Sequence, residues 1–194
     1  MTKNIQRILR ESINIKEKIY NSPSLLNIIE TVSNQCIQAF QDDKKVFFCG
    51  NGGSAADAQH LAAEFSGRFY LDRPPLFAEA LHVNSSFLTA VANDYSFNEV
   101  YARLIQAKGR SGDILFGIST SGNSENILRA MKRAKQKSLL TIALTGRTGG
   151  NIKQYADYLI NIPSTDTPRI QEAHILVGHI ICELVEQRLF GNEK

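Results

Sequence analysis

Apolar residues in positions 4–20 fall at Ile5, Ile8, Leu9, Ile15 and Ile19 among alternating charges, which predicts a helix with one apolar stripe. Asn21-Ser22-Pro23 breaks it, with Ser22 placed to cap and Pro23 to open a second helix. That helix carries Leu25, Ile28, Ile29, Val32, Cys36, Ile37 and Phe40 and ends at Gln41-Asp42-Asp43. The pattern then changes. Short apolar runs at 45–49, 77–81, 114–118, 139–144 and 158–162 have the length of buried strands. Helical patterns separate them: 55–68, a stretch capped by Ser85 or Ser86 and running through Ala92, 99–107, a helix from Asn126, and a short one at 152–155. Asn93-Asp94-Tyr95-Ser96-Phe97 reads as a polar turn. Beyond Pro163 a long helix runs from Arg169 to Leu189, apolar on so much of its surface that it predicts burial on more than one side, as at a subunit interface. Strands alternating with helices predict an α/β fold, a doubly wound parallel sheet of five strands with ligand loops at the strands' carboxyl ends. Residues 1–194 read as one domain, a helical pair (1–42) followed by an α/β core and closing helix (43–194). The helical pair has no strand of its own to cover, so it must pack on the core, on the closing helix or on another subunit.

Composition narrows the classes. A 43% apolar and 21% charged chain is ordinary for a globular protein, and a net charge of +3 carries no basic stripe with interleaved aromatics, which argues against nucleic acid. No apolar run reaches membrane length and the N-terminus lacks a leader-like apolar segment, so a cytoplasmic protein with no membrane partner is expected. Cys36, Cys49 and Cys182 are odd in number and set among apolar residues, which predicts reduced core thiols.

Two loops carry candidate chemistry. After the run 114–118 comes Ser119-Thr120-Ser121-Gly122-Asn123-Ser124, with four hydroxyls ahead of a helix. A helix start collects free N–H groups and partial positive charge, so a phosphate monoester is its natural guest. No Lys or Arg lies between Asp113 and Leu128, so neutral donors would do the binding, and this is no Walker loop. The ordinary alternative is a serine-rich turn capped by Ser121 or Asn123. After the run 45–49 comes Gly50-Asn51-Gly52-Gly53-Ser54, glycines that let backbone approach a ligand, without the G-x-G-x-x-G of dinucleotide folds. His60 and Glu64 lie four apart on the following helix, hence on one face, a spacing that suits a divalent metal such as zinc, though surface His–Glu pairs are far commoner. On the closing helix Gln171 and His179 are separated by about 12 Å of rise, so they meet one ion only by leaning toward each other. A lone His on an apolar helix is most often a core residue, and His174 is read that way.

Taken together, Gly50-Asn51-Gly52-Gly53-Ser54, His60-x-x-x-Glu64, Asn93-Asp94, the serine loop and Arg169-Ile170-Gln171-Glu172-x-His174 resemble the sugar isomerase (SIS) domain, and within it the phosphoheptose isomerase family. The resemblance covers nearly the whole chain. It implies a flavodoxin-like sheet and a metal-assisted aldose–ketose isomerisation of sedoheptulose 7-phosphate to D-glycero-D-manno-heptose 7-phosphate, the first step toward ADP-heptose of the lipopolysaccharide core. It implies a homotetramer with active sites completed across subunits. Carried over residue by residue, the zinc ligands are His60, Glu64, Gln171 and His179. Glu64 and His179 are the acid–base pair, and Gln171 also touches the substrate carbonyl. Asn51, Gly52, Gly53, Ser54, Asn93 and Asp94 meet the sugar, and Ser119, Thr120, Ser121 and Ser124 the phosphate. Pro168 departs from the pattern, standing where some members have an acidic or small residue. The competing expectation is a non-catalytic SIS relative that binds the bacterial replication-initiator protein; such an adaptor has no need of the intact metal set. A sugar-phosphate sensor is a third class, but no DNA-binding module accompanies this chain.

Overall fold

A computed structural model describes residues 1–191. Five strands, β1 (Val46–Gly50), β2 (Ala78–Ala80), β3 (Ile114–Ser119), β4 (Leu140–Thr145) and β5 (Tyr158–Asn161), form one sheet in the order β2-β1-β3-β4-β5. Every pairing is parallel. Seven helices surround it: α1 (Thr2–Tyr20), α2 (Pro23–Gln41), α3 (Gly53–Ser66), α4 (Ser85–Asp94), α5 (Val100–Lys108), α6 (Glu125–Gln136) and α7 (Thr167–Phe190). The doubly wound, flavodoxin-like expectation is met. The chain winds outward from β1 to β2 and then back across to β3, so the β1 and β3 loops flank the point where strand order reverses, where such folds bind ligands.

Alternation along the strands divides two cores. Val46, Phe48, Ile114, Phe116, Ile118, Ile142, Leu144 and Ile160 face α2, α3 and α7, while Phe47, Cys49, Leu115 and Ala143 face α4, α5 and α6. Of the places expected for the N-terminal pair, the core and the closing helix are the ones taken within the chain. The chain passes from β4 to β5 through only a 3-10 turn, Asn151–Tyr155, which packs on the α6 side. The opposite face of β5 is therefore left to α2, whose Leu25, Ile29, Val32 and Cys36 join the core beneath α7. Most of the α1 stripe stays in water: Ile15 and Ile19 are buried, but Ile5, Ile8, Leu9 and Ile13 are exposed.

Helix starts follow their caps. Ser22 Oγ accepts from Leu25 N and Pro23 opens α2 as predicted. Three boundaries differ from expectation. The cap of α4 is Asn84, not Ser85 or Ser86, its Oδ1 accepting from Phe87 N at 3.0 Å. That helix continues through Asn93 and Asp94, because polar residues on an exposed last turn leave the backbone ladder intact and Tyr95 N still bonds Val91 O. The cap of α6 is Ser124, since Ser121 and Asn123 spend their side chains inside the loop before it. Cys36, Cys49 and Cys182 are buried free thiols, and burial pushes their pKa values up. Among the described residues no helix is long and apolar enough to cross a membrane.

Candidate active site

The glycine loop leaves β1 at Gly50, whose carbonyl accepts the buried Tyr101 hydroxyl at 2.6 Å. It enters α3, which runs back along the sheet against α7. The two helices pack tightly at Gly178, where a Cβ would lie 2.5 Å from Leu61 Cδ2. A side chain at 178 would displace Leu61, and the residues next to this contact are His60 and His179. That crossing assembles the site. His60 Nε2 stands 2.9 Å from His179 Nε2 and 3.0 Å from Glu64 Oε1.

The ligating atoms of His60, Glu64 and His179 lie within 4.8 Å of one another. Two imidazole nitrogens and a carboxylate oxygen are the donor types of a borderline divalent cation such as zinc. A second carboxylate adds to the negative field. Asp57, one helical turn before His60, has Oδ2 buried without a hydrogen-bond partner. Burial raises its pKa to about 6, against the lowering pull of His60. Lone pairs converge here without a matching supply of protons, so these residues fit a divalent metal. The Gln171 amide rests on the glycine loop, where a Cβ at Gly53 would overlap it. Two helical turns separate it from His179, as the spacing indicated. Among His, Cys, Asp and Glu, three residues rather than more form the cluster.

Behind the triad a buried ion pair holds the chain that follows α3. Glu186 of α7 accepts from Phe69 N, Tyr70 N and Leu71 N at 3.0, 2.7 and 2.9 Å and from Arg73 Nε at 2.9 Å. Burial would raise its pKa, but these four bonds outweigh it and the net shift is downward. Arg73 also donates to Glu64 O at 2.8 Å and Phe65 O at 2.8 Å, closing the last turn of α3 beneath the Glu64 carboxylate. The Phe69 ring lies 5.6 Å from the His179 ring, covering one side of it.

The second loop leaves β3. Ser119 Oγ is within 3.1 Å of Ser124 Oγ and 3.5 Å of Ser121 Oγ, and accepts from Gly122 N at 3.2 Å. Gly122 has φ +67° and is pressed against Gly149 and Gly150 of the next loop, a place without room for a side chain. Asn123 Oδ1 accepts from Asn151 N at 2.9 Å, so the β4 loop braces the serine loop from outside. The result is a hydroxyl-lined cup at the N-terminus of α6, with Ser119 buried, Thr120 and Ser124 half-buried and Ser121 exposed. His174 lies fully buried beneath the adjoining β4 end, its Nε2 3.2 Å from Thr145 O. Burial pushes its pKa down to about 4, more than the bond to Thr145 lifts it.

The two loops are joined by an amide pair. Asn51 Nδ2 donates to Asn126 Oδ1 and Asn126 Nδ2 to Asn51 Oδ1, both at 2.8 Å. Ser54 is buried in the first turn of α3, its N–H on Asn51 O. Gly52 and Gly53 are exposed. Asn93 and Asp94 are exposed at the end of α4, where Asn93 Nδ2 donates to Asp94 Oδ1 at 2.9 Å. The chain after them reaches the strands' carboxyl edge through Glu99, paired with Arg129 of α6, and Tyr101 on Gly50. Residue types alone did not single out Asp57, Tyr101, Arg73, Glu186 or Asn126. The visible signal for Asn126 is an amide in the first helical turn where a solvent-facing residue is usual.

Residues 9–146 match the family model described as SIS domain. Phosphoheptose isomerase of Aneurinibacillus thermoaerophilus is 49% identical over 189 residues, covering 97% of this chain and 96% of that one. Phosphoheptose isomerase of Sulfurimonas denitrificans is 49% identical over 192 residues, 99% of this chain and 98% of that one. Among solved structures, phosphoheptose isomerase GmhA from Neisseria gonorrhoeae superposes with a TM-score of 0.90 at 41% identity, covering 96% of this chain and 98% of that chain. Relatives that carry the isomerase name over their full length do not favour the adaptor reading. With fold, length and loop order in agreement, the chain belongs to the phosphoheptose isomerase family of SIS-domain proteins.

Proposed function

We infer that the protein is an aldose–ketose isomerase that interconverts sedoheptulose 7-phosphate and D-glycero-D-manno-heptose 7-phosphate, supplying heptose for ADP-heptose and the lipopolysaccharide core. The observation that carries this reading is the His60–Glu64–His179 triad on α3 and α7, in a chain that also builds a hydroxyl cup at the start of α6. One end of the site suits acid–base work at a carbonyl and the other a phosphate monoester. Full-length relatives of the same name support it.

The reaction moves a proton between the two carbons flanking the carbonyl position, through an enediol. Glu64 takes the role of base on carbon, and His179 carries protons on oxygen. Gln171, on the glycine loop, steadies the carbonyl end, while Asn51, Gly52, Gly53, Ser54, Asn93 and Asp94 meet the sugar. Ser119, Thr120, Ser121 and Ser124 hold the phosphate with hydroxyls, and the free N–H groups at the start of α6 add to them. His60, Glu64 and His179, completed by Gln171, hold one divalent ion, with zinc the best match to the donor set. When bound, such an ion supplies Lewis-acid stabilisation of the developing oxyanion. Turnover of sedoheptulose 7-phosphate by purified protein tests the reading.

A homotetramer goes with it. The support is the exposed stripe Ile5, Ile8, Leu9 and Ile13 on α1, apolar surface that association would bury. Light scattering on the intact chain decides this: a monodisperse, active monomer rules it out. Reduced thiols and the absence of a membrane-crossing helix among the described residues fit a cytoplasmic enzyme.

A further inference from the structure

Phosphate and reacting carbonyl lie at opposite ends of a seven-carbon chain whose single bonds rotate freely. Grip on the phosphate helps the chemistry only if the cup and the triad stand at a fixed separation. The cup follows β3 and α3, which bears His60 and Glu64, follows β1; these two strands pair last at Gly50 and Ile118. Beyond that rung the Asn51–Asn126 amide pair connects the two segments. Its two bonds, both 2.8 Å, tie the residue after β1 to the first turn of α6. Asn126 is 2% exposed, and its Oδ1 also accepts from Ile127 N at 3.0 Å, so the amide cannot turn away without losing three bonds. On one side Ser124, two residues back, caps α6 and touches Ser119. On the other, Asn51 leads into α3 and thence to His60 and Glu64.

We propose that Asn126, acting through Asn51, is a positioning residue that sets the separation between phosphate seat and catalytic helix. It thereby converts phosphate binding into turnover. The proposal rests on the isomerase reading and deepens it. Asn126 itself touches neither phosphate nor carbonyl. Its loss therefore leaves the seat able to hold phosphate while the reacting carbons drift from Glu64.

The test compares intact protein with Asn126→Ala, measuring kcat and KM on sedoheptulose 7-phosphate, the inhibition constant of inorganic phosphate, and Tm. The expected result is a kcat at least tenfold lower, with KM and the phosphate constant each within threefold of the parent. The Asn51→Ala, Asn126→Ala double variant should be no slower than the slower single one, because the pair acts as a unit. Should Asn126→Ala fail to fold, Asn126→Ser, which keeps a hydroxyl in the first helical turn, is held to the same criteria. An unchanged kcat with a lowered Tm overturns the proposal, leaving a purely structural pair. A weaker phosphate constant with kcat retained also overturns it, placing Asn126 in the seat itself. If the parent protein does not turn over the substrate, the isomerase reading fails and this inference with it. If the parent is active and the variant equally so, this inference alone fails.

Discussion

His60 Nε2 and His179 Nε2 stand 2.9 Å apart although 119 residues separate them in the chain. Two imidazole lone pairs cannot both point at one spot without a proton or a cation between them. Glu64, 3.0 Å from the same His60 nitrogen, adds negative charge that favours a positive ion among the three side chains. Protein purified without chelator should therefore hold about one divalent ion per chain, and the His60→Ala variant much less. Saturating metal should also raise the stability of the parent, by about 2.7 kcal/mol at a hundredfold excess over Kd. Metal analysis with thermal melts checks both, and equal metal content in parent and variant would remove the site.

The triad depends on how closely α3 and α7 approach. A Cβ at Gly178 would lie 2.5 Å from Leu61 Cδ2, so Gly178→Ala must displace the buried Leu61 side chain or the helix behind it, next to His60 and His179. Overpacking of this kind costs about 1–3 kcal/mol. The expected outcome is a lowered Tm together with weakened metal binding. Adding Leu61→Ala, which makes room, should restore more of the metal affinity than of the stability. Metal affinity untouched by Gly178→Ala would show that the crossing does not set the ligand geometry.

Ser121 is the exposed hydroxyl of the cup, and its Oγ accepts from Asn123 N at 3.1 Å, leaving its own hydrogen to donate. A hydrogen bond lost to a charged phosphate oxygen costs about 1.5–3 kcal/mol. Ser121→Ala should then raise KM for the sugar phosphate by roughly tenfold or more. Steady-state kinetics check this, and an unaltered KM would take Ser121 out of the phosphate seat.

His174 gives a pH signature. Its folded pKa of about 4 lies below the ordinary 6.5, because burial disfavours the charged ring. Between these values the unfolded chain binds more protons than the folded one. The contribution is therefore fully present above pH 6.5 and is lost as pH falls toward 4. Tm of the parent should drop faster over that interval than Tm of His174→Gln, measured in chelator to keep the metal site out of the comparison. Parallel curves would mean that His174 does not titrate on unfolding.

Much of this was legible in the chain. Strand and helix alternation predicted the sheet because buried parallel strands leave short apolar runs, and the His60–Glu64 spacing placed both on one helical face. That His179 joins them was not readable from spacing; it depends on where α7 crosses α3, which a glycine and a leucine decide. The Arg73–Glu186 and Asn51–Asn126 pairs were likewise invisible, since partners 113 and 75 residues apart leave no local periodicity. Which of its possible partners α2 takes was not readable either: it covers the face of β5 opposite the 3-10 turn, a pairing between segments far apart in the chain.

The most direct measurement is isomerisation of sedoheptulose 7-phosphate by the purified protein, with and without added zinc, following the aldose 7-phosphate. Unphosphorylated sedoheptulose and Glu64→Gln run alongside. The account predicts turnover that chelator abolishes and zinc restores, little reaction with the unphosphorylated sugar, and none with Glu64→Gln. Metal-loaded, folded protein that leaves sedoheptulose 7-phosphate unchanged would contradict it.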